Sequence, residues 1–487
     1  MRSFHKYKKF GLVFLMSMLI FSLAGCTGTG NGTTNTNTNN NFSVVVFSDV
    51  HYNPFYDKSL YTALAAADAD QWATVFQSST TVPSAWGEDT NYPLLVLALW
   101  GIKQNLGASP LIIFTGDILG HDFPTTFFEL YYKNLGLPVP DNDAILADGT
   151  AIAAMEAFAD KTVAFFMGQV RSTVGDIPVM FAVGNADSYL GALPEPSYLS
   201  HNAELYYTQF LNGTVDHQTF INTFTTGGYY SAEPAGTDLM VIGLNSVMFN
   251  YDFKDALKTD VDAQLAWFDL QLAHAKAAGK KVWLLMHIPP GADKYSTAKN
   301  NLDANGHLTT ATMMWNQDYQ ARFLRILSHY PGTIALTLAA HTHMDEYRIM
   351  SPENVLEITP GITPYFGNNP AFRVFTFSRY TYKATDYSTL NCDLSASTAQ
   401  FNSYYTFSTA YLLQGLLNDS LLQLYPQLAA DNAKQQIYRG HYFSGHNYTV
   451  PVGSNEFYPI TDKTWPVYWC GIGHMDEQGL IDCVNSY

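Results

Sequence analysis

Cysteine and basic residues are scarce in this chain of 487 residues: four cysteines, and 25 lysines and arginines against 42 aspartates and glutamates, for a formal charge of −17. That balance excludes a protein that reads a nucleic-acid backbone through its own charge. It still allows an anionic substrate where bound cations dominate the site. Charged residues of both signs make up only 14% of the chain and hydrophobic ones 47%, which excludes a disordered or coiled-coil protein and indicates a globular one. No internal repeat is visible. Beyond Cys26 the cysteines are Cys392, Cys470 and Cys483, too scattered for a zinc knuckle. Cys470 and Cys483 are close enough in sequence to pair as a C-terminal staple in an exported protein, leaving Cys392 single. What is abundant instead is aromatic, with 32 tyrosines and 31 phenylalanines.

The N-terminus is basic, with Arg2, Lys6, Lys8 and Lys9, and an apolar stretch from Gly11 to about Ala24 follows, too short to span a bilayer comfortably. It ends in Leu23-Ala24-Gly25-Cys26, which resembles the lipobox of bacterial lipoproteins. The expectation is a signal peptide over 1–25, with Cys26 lipidated as the mature N-terminus and a disordered Thr/Asn/Gly linker over 26–41. Lipid on Cys26 would tether the protein to the periplasmic or cell-surface side of a membrane, the outer one if present, because Thr27 rather than Asp follows the cysteine. Losing the four basic leader residues leaves 21 against 42 acidic ones.

Short runs rich in Val, Ile, Leu and Phe recur at 43–48, 111–115, 178–183, 239–244, 282–286 and 333–340. Each is nearly continuous in apolar character, as strands buried on both faces are. Helix-like stretches lie between them, so the chain reads as a layered α/β fold. Pro93 opens a helix that Gly107 stops, and a third helix covers 150 to about 170. Another, from about Asp260 to Ala278, is capped by Thr259, ended by Gly279 and buries Leu265, Phe268 and Leu272. After about Leu390 the pattern changes to Tyr, Leu, Gln and Asn with helical spacing over 410–424. We therefore expect a larger domain over 42–390 and a smaller, mainly helical domain over 391–487.

Five motifs sit at or just after the ends of these runs: Asp49-Val50-His51, Gly116-Asp117, Gly184-Asn185, His287, and His341-Thr342-His343. Alternate residues of a strand share a face, so Asp49 and His51 point to one side. A carboxylate with imidazoles suits zinc, iron or manganese better than calcium. Taken singly, each motif has an ordinary reading as a turn, a cap or a loop histidine satisfied by backbone. Five in one order, all at strand ends, are improbable by chance. The carboxyl ends of parallel strands are also where such folds place ligands.

In these residues the chain resembles the calcineurin-like metallophosphoesterases, and within them the acid sphingomyelinase-like branch. The resemblance rests on Phe47 to Pro54, Thr115 to Asp122, Leu244-Asn245-Ser246, His287 to Gly291 and Ala340 to Glu346. It continues through Ile362 to Tyr365, Asn369-Pro370 and Phe372-Arg373-Val374, covers about 42–390, and is fainter in the tail. It implies a layered α/β-β-α sandwich. One metal would be held by Asp49, His51, Asp117 and His343, and a second by Asp117, Asn185, His287 and His341, with Asp117 bridging. The implied cofactors are two divalent ions, zinc foremost and iron or manganese otherwise, with water bridging them as the nucleophile.

Related enzymes usually carry histidine where this chain has Ala186, and that side chain assists the leaving group. His121 matches a second family histidine thought to protonate the leaving group, which would make it the general acid here; the alternative is that it only bonds Asp122 or backbone. The implied reaction is hydrolysis of a phosphodiester with a small or lipid alcohol, by a membrane-tethered monomer without a nucleic-acid partner. Two other readings stand beside it. One is a nucleotidase or polyphosphatase, and the other a metal-binding lipoprotein with little catalysis. Tyr365, Tyr404 and Tyr405 either line a substrate groove or fill the core.

Overall fold

The computed structural model describes residues 40–79, 81–211, 213–253, 256–447 and 459–487. The leader, Cys26 and the linker up to residue 39 lie outside the described residues. Twelve strands run in chain order among those described: β1 (Asn41–Phe47), β2 (Ile112–Phe114), β3 (Val179–Phe181), β4 (Tyr230–Ala232), β5 (Leu239–Gly243), β6 (Lys281–Leu285), β7 (Ile334–Ala339), β8 (Glu346–Ser351), β9 (Asn354–Ile358), β10 (Ala371–Ser378), β11 (Ala384–Cys392) and β12 (Phe401–Thr406). They form two six-stranded sheets, ordered β12-β11-β10-β1-β2-β3 and β4-β5-β6-β7-β9-β8. Within the first, β1, β2 and β3 are parallel and β10 to β12 antiparallel. In the second, β5, β6, β7 and β9 are parallel, with β4 and β8 antiparallel at the edges.

Side-chain alternation along a strand explains the layering. On β6, Trp283 and Leu285 join the core shared with β1 and β10, and the Trp283 ring lies 4.3 Å from Phe377. Val282 and Leu284 face the other way, into a core formed with the helices Lys258–Ala277 and Gln317–Ser328. Helix Gly149–Val174 covers the first sheet, where Phe166 meets Phe114 at 5.5 Å. The order is therefore helix, sheet, sheet, helix, a layered α/β sandwich.

The structure differs from the sequence reading in three places. Helix Lys258–Ala277 starts one residue before Thr259, with Leu257 as its cap and no side-chain bond to it; Leu265, Phe268 and Leu272 are buried as expected. The boundary expected at 390/391 falls within β11, and the sheet continues through β12. The helical stretch expected over 410–424 is broken, because Leu412 adopts φ 56° between the helices Phe407–Tyr411 and Leu417–Ala430.

Helices Asn432–Tyr442, Trp465–Gly473 and Glu477–Ser486 complete the tail. Cys470 and Cys483 form a disulfide between the last two, and Cys392 is a buried free thiol whose pKa burial pushes up to about 11. Asn40–Tyr487 forms one compact unit, so the tail is part of the sandwich rather than a separate body. Among the described residues no helix is long and apolar enough to cross a membrane.

Candidate metal centre

Every motif singled out in the sequence follows the carboxyl end of a parallel strand: Asp49 and His51 after β1, Asp117 after β2, Asn185 after β3, His287 after β6, His341 and His343 after β7. The loops are stitched together by backbone. Asp49 N–H donates to Gly116 C=O at 3.0 Å, His51 N–H to Asp117 C=O at 3.1 Å, and Ala340 N–H to His287 C=O at 2.9 Å. Asp49, His51, Asp117, His341 and His343 all have φ between 43° and 72°, the left-handed region that L-residues other than glycine seldom occupy. Strain of this kind persists where the surroundings over-determine it, and it gathers at functional sites. Gly184 is required for another reason, since a Cβ there would lie 2.1 Å from Asp117 Oδ1.

The side chains converge on Asp117. Its Oδ2 lies 3.2 Å from His51 Nε2 and 3.0 Å from His287 Nε2, while His343 Nε2 lies 3.2 Å from His51 Nε2 and 3.7 Å from Asp49 Oδ1. Two donor sets able to hold a cation result, Asp49-His51-Asp117 and Asp117-His287-His341, sharing Asp117. His51, His121 and His343 converge as a third. Backbone carbonyls fix the rings: His51 Nδ1 donates to Leu119 C=O at 3.0 Å and His287 Nδ1 to Thr115 C=O at 2.7 Å, which turns each Nε2 inward.

Burial sets the charge states. It lowers His51, and it takes His341 down to about 3, with the His287 charge adding to the effect. Burial and the charge at His51 hold His343 well below the ordinary imidazole range. Burial also works against charge on His287, but Asp117 and Asp49 outweigh it and raise that imidazole to about 9. Burial pushes Asp49 up to about 7, whereas at Asp117 its effect is overcome by His287 and His51, which keep the carboxyl well below its usual range. Asp49 Oδ2 and Asn185 Oδ1 are buried without a hydrogen-bond partner in the chain. Such atoms are costly unless they meet a ligand. Inward-facing imidazole nitrogens, two carboxylates and an orphaned amide oxygen make a donor set that fits divalent cations.

Ala186 is buried beside Asp117, and its backbone N–H donates to Asp117 Oδ1 at 2.7 Å. His121 lines a cavity of about 310 Å³ together with Asp117, Asn185, His341 and His343. Its ring is stacked between His51 at 3.9 Å and Tyr365 at 4.0 Å. Its Nδ1 donates to Asp89 Oδ1 at 2.8 Å and its backbone N–H to Asp89 Oδ2 at 2.7 Å. The sequence reading missed Asp89 altogether. It also missed Asp187, a buried carboxylate that accepts from the N–H groups of Gly184 at 2.7 Å, Ile118 at 2.8 Å and Asp117 at 3.1 Å. The only available signal was its place two residues after Asn185. Tyr365 is at the site, but the Tyr405 hydroxyl is buried on Asp345 at 2.9 Å, and Tyr404 packs on Gly445.

Two outcomes test the centre. Gly184→Ala is expected to weaken binding of a divalent cation by about 10- to 100-fold in a calorimetric titration, and unchanged affinity would show that Asp117 is not a ligand. His287 is held protonated near neutral pH and must lose that proton to bind a cation. Affinity should therefore climb as pH rises toward about 9, with proton release seen between buffers of different ionisation enthalpy. Loading without proton release would remove His287 from the donor set.

The calcineurin-like phosphoesterase family model matches residues 42–345. A sphingomyelinase phosphodiesterase C of Dictyostelium discoideum is 24% identical over 342 residues, 65% of this chain and 70% of that one. A cyclic GMP-AMP phosphodiesterase of Rattus norvegicus is 25% identical over 427 residues, covering 83% of this chain and 84% of that one. The human sphingomyelin phosphodiesterase is 24% identical over 393 residues, 76% of this chain and 54% of its own. With well over half of its length matched and its motifs gathered at one set of strand ends, this chain belongs to the calcineurin-like phosphoesterase family and is a metallophosphoesterase.

Proposed function

We propose that the protein is a two-cation phosphodiesterase that hydrolyses a phosphodiester of the sphingomyelin-headgroup or small-molecule kind. The observation that carries this reading is Asp117, whose Oδ2 sits between His51 and His287 and which lines a cavity together with His121. One set comprises Asp49, His51, Asp117 and His343, and the other Asp117, Asn185, His287 and His341. Zinc is the cation this donor set suits best, with iron or manganese next. When bound, two such cations supply Lewis acidity to the phosphoryl oxygens and acidify the attacking water.

The residues around them orient the ester and handle the proton. With alanine at 186, His121 is the side chain that delivers a proton to the leaving alkoxide, from Nε2. Asp89 binds its Nδ1–H, and the rings of His51 and Tyr365 clamp it from both faces. Burial works to lower the His121 pKa, and the Asp89 carboxylate outweighs burial and raises it, which favours the protonated, donor form. The leader ending in Cys26 supports an exported, lipid-tethered protein, and labelled palmitate should enter the wild type but not Cys26→Ser.

A panel of sphingomyelin, CDP-choline, ATP and p-nitrophenyl mono- and diesters tests the reaction class, and faster monoester turnover would replace the diesterase reading. Asn185→Ala should abolish metal-dependent hydrolysis; retention of full activity would remove Asn185 from the centre. His121→Ala is expected to slow alkyl diesters by about 10²- to 10⁴-fold and p-nitrophenyl diesters far less, since p-nitrophenolate leaves without a proton. Equal turnover of alkyl diesters would end the acid role.

A further inference from the structure

The metal centre occupies the carboxyl ends of the parallel strands, and their amino ends form the opposite edge of the sandwich. The chain enters the fold at that edge. Asn40 C=O accepts from Arg379 N–H at 2.9 Å and Asn40 Oδ1 from the Tyr380 hydroxyl at 3.1 Å, both on the turn between β10 and β11. Next to them the Tyr382 hydroxyl accepts from Asp238 N–H at 3.0 Å, and Lys281 N–H donates to Asp238 C=O at 3.0 Å. The Lys281 ammonium reaches Gly332 C=O at 2.6 Å, and that of Lys276 reaches His329 C=O at 3.2 Å. The loops before β5, β6 and β7 and the β10–β11 turn are thereby joined into one rim.

Its charge is opposite to that of the chain. After the leader, acidic residues outnumber basic ones by 42 to 21, yet this rim holds Lys276, Lys280, Lys281, Arg379 and Lys383 against Glu233, Asp238 and Glu353. Lys280 pairs with Glu233 at 2.5 Å. Lys276 and Lys281 meet carbonyls rather than carboxylates, and among the described residues Arg379 and Lys383 have no carboxylate within ion-pair distance. Tyr380 stands at the tip of the turn, 75% exposed. Cations spread along a rim do not converge on one small anion, but they suit an extended layer of anionic headgroups, where an exposed tyrosine is also at home. A nucleic acid long enough to pass the rim would meet the acidic remainder of the chain. We propose that this rim lies against the anionic headgroups of a lipid bilayer and turns the metal centre away from it, so that esters arrive from the aqueous side. β1 alone, with its seven residues, separates the rim from the Asp49 loop by about 23 Å. The proposal deepens the lipid-tether reading, on which delivery of the chain to a membrane rests.

The test uses the full chain as its own cells process it, on vesicles of phosphatidylcholine with or without phosphatidylglycerol that carry a headgroup quencher. A dye on Tyr380→Cys is compared with one on Leu190→Cys, an exposed position in the loop after Asn185; Cys392 is buried and stays unlabelled. On anionic vesicles, quenching at 380 is expected to exceed that at 190 by about fivefold or more, and to fall in high salt. Arg379→Gln with Lys383→Gln should erase the effect of phosphatidylglycerol. Quenching at 190 equal to that at 380, or quenching at 380 that ignores phosphatidylglycerol, overturns the proposal. So does a lipid-free dimer that the double variant abolishes, which would assign the rim to a second copy. A chain that fails to float with phosphatidylcholine but is quenched at 380 on anionic vesicles keeps the rim and removes the tether; one that floats with 380 unquenched does the reverse. Should a labelled variant fail to fold, protection of Lys383 in the wild type from an amine reagent on anionic vesicles decides, and equal modification with and without them overturns the rim.

Discussion

The structure turns on one buried carboxylate. Asp117 presents Oδ2 to His51 and His287 and takes the Ala186 N–H on Oδ1, while its own N–H is held by Asp187. A carboxylate taken out of water is costly unless charge and hydrogen bonds compensate it. Here the compensation comes from loops of both sheets, so the two sheets must meet in one register at their carboxyl edges. Gly184 is small because Asp117 lies against it, and Gly116 for a similar reason, since a Cβ there would lie 2.7 Å from Gly184 N.

Behind the histidine loop, two consecutive residues anchor it in opposite directions. Asp345 bonds Arg373, the Tyr405 hydroxyl at 2.9 Å and Thr389 Oγ1 at 3.0 Å, all from the first sheet. Glu346, the first residue of β8, pairs instead with Lys294 beside the second sheet. Buried pairs of this sort add little net stability over an apolar packing of the same volume, but they fix geometry. Thr342 and His343 therefore lie on a segment whose far end is tied to both layers. Arg373 is further held by Glu357 at 3.2 Å and by the Tyr387 ring at 4.3 Å.

Much of this was legible in the chain, for physical reasons. Buried parallel strands are short and uniformly apolar, and side chains at their carboxyl ends form a series that can be read in order, so the residues that converge there were visible without coordinates. Asp89 was not, because it reaches His121 across 32 residues of sequence and carries no periodic signal. Asp187 was hidden for a related reason: its work is to accept backbone N–H groups, which any carboxylate in a loop can do. The break at Leu412 went unread because a left-handed leucine gives no composition cue. The domain boundary was expected at 390/391, inside β11, because β12 reads as polar tail, with Asn402 and Ser403 exposed.

The left-handed backbone at five of the converging residues carries an implication for how this centre tolerates change. At Asp49, His51, Asp117, His341 and His343 the main chain adopts a shape that glycine takes freely and alanine does not. Replacing one of them with glycine removes the side-chain chemistry and relieves conformational tension together, whereas alanine removes the chemistry and leaves the tension. Fold robustness and catalytic competence thus pull against each other at these positions. An inactive descendant of this protein would drift toward glycine there, and its sturdier backbone would be the trace of the lost activity.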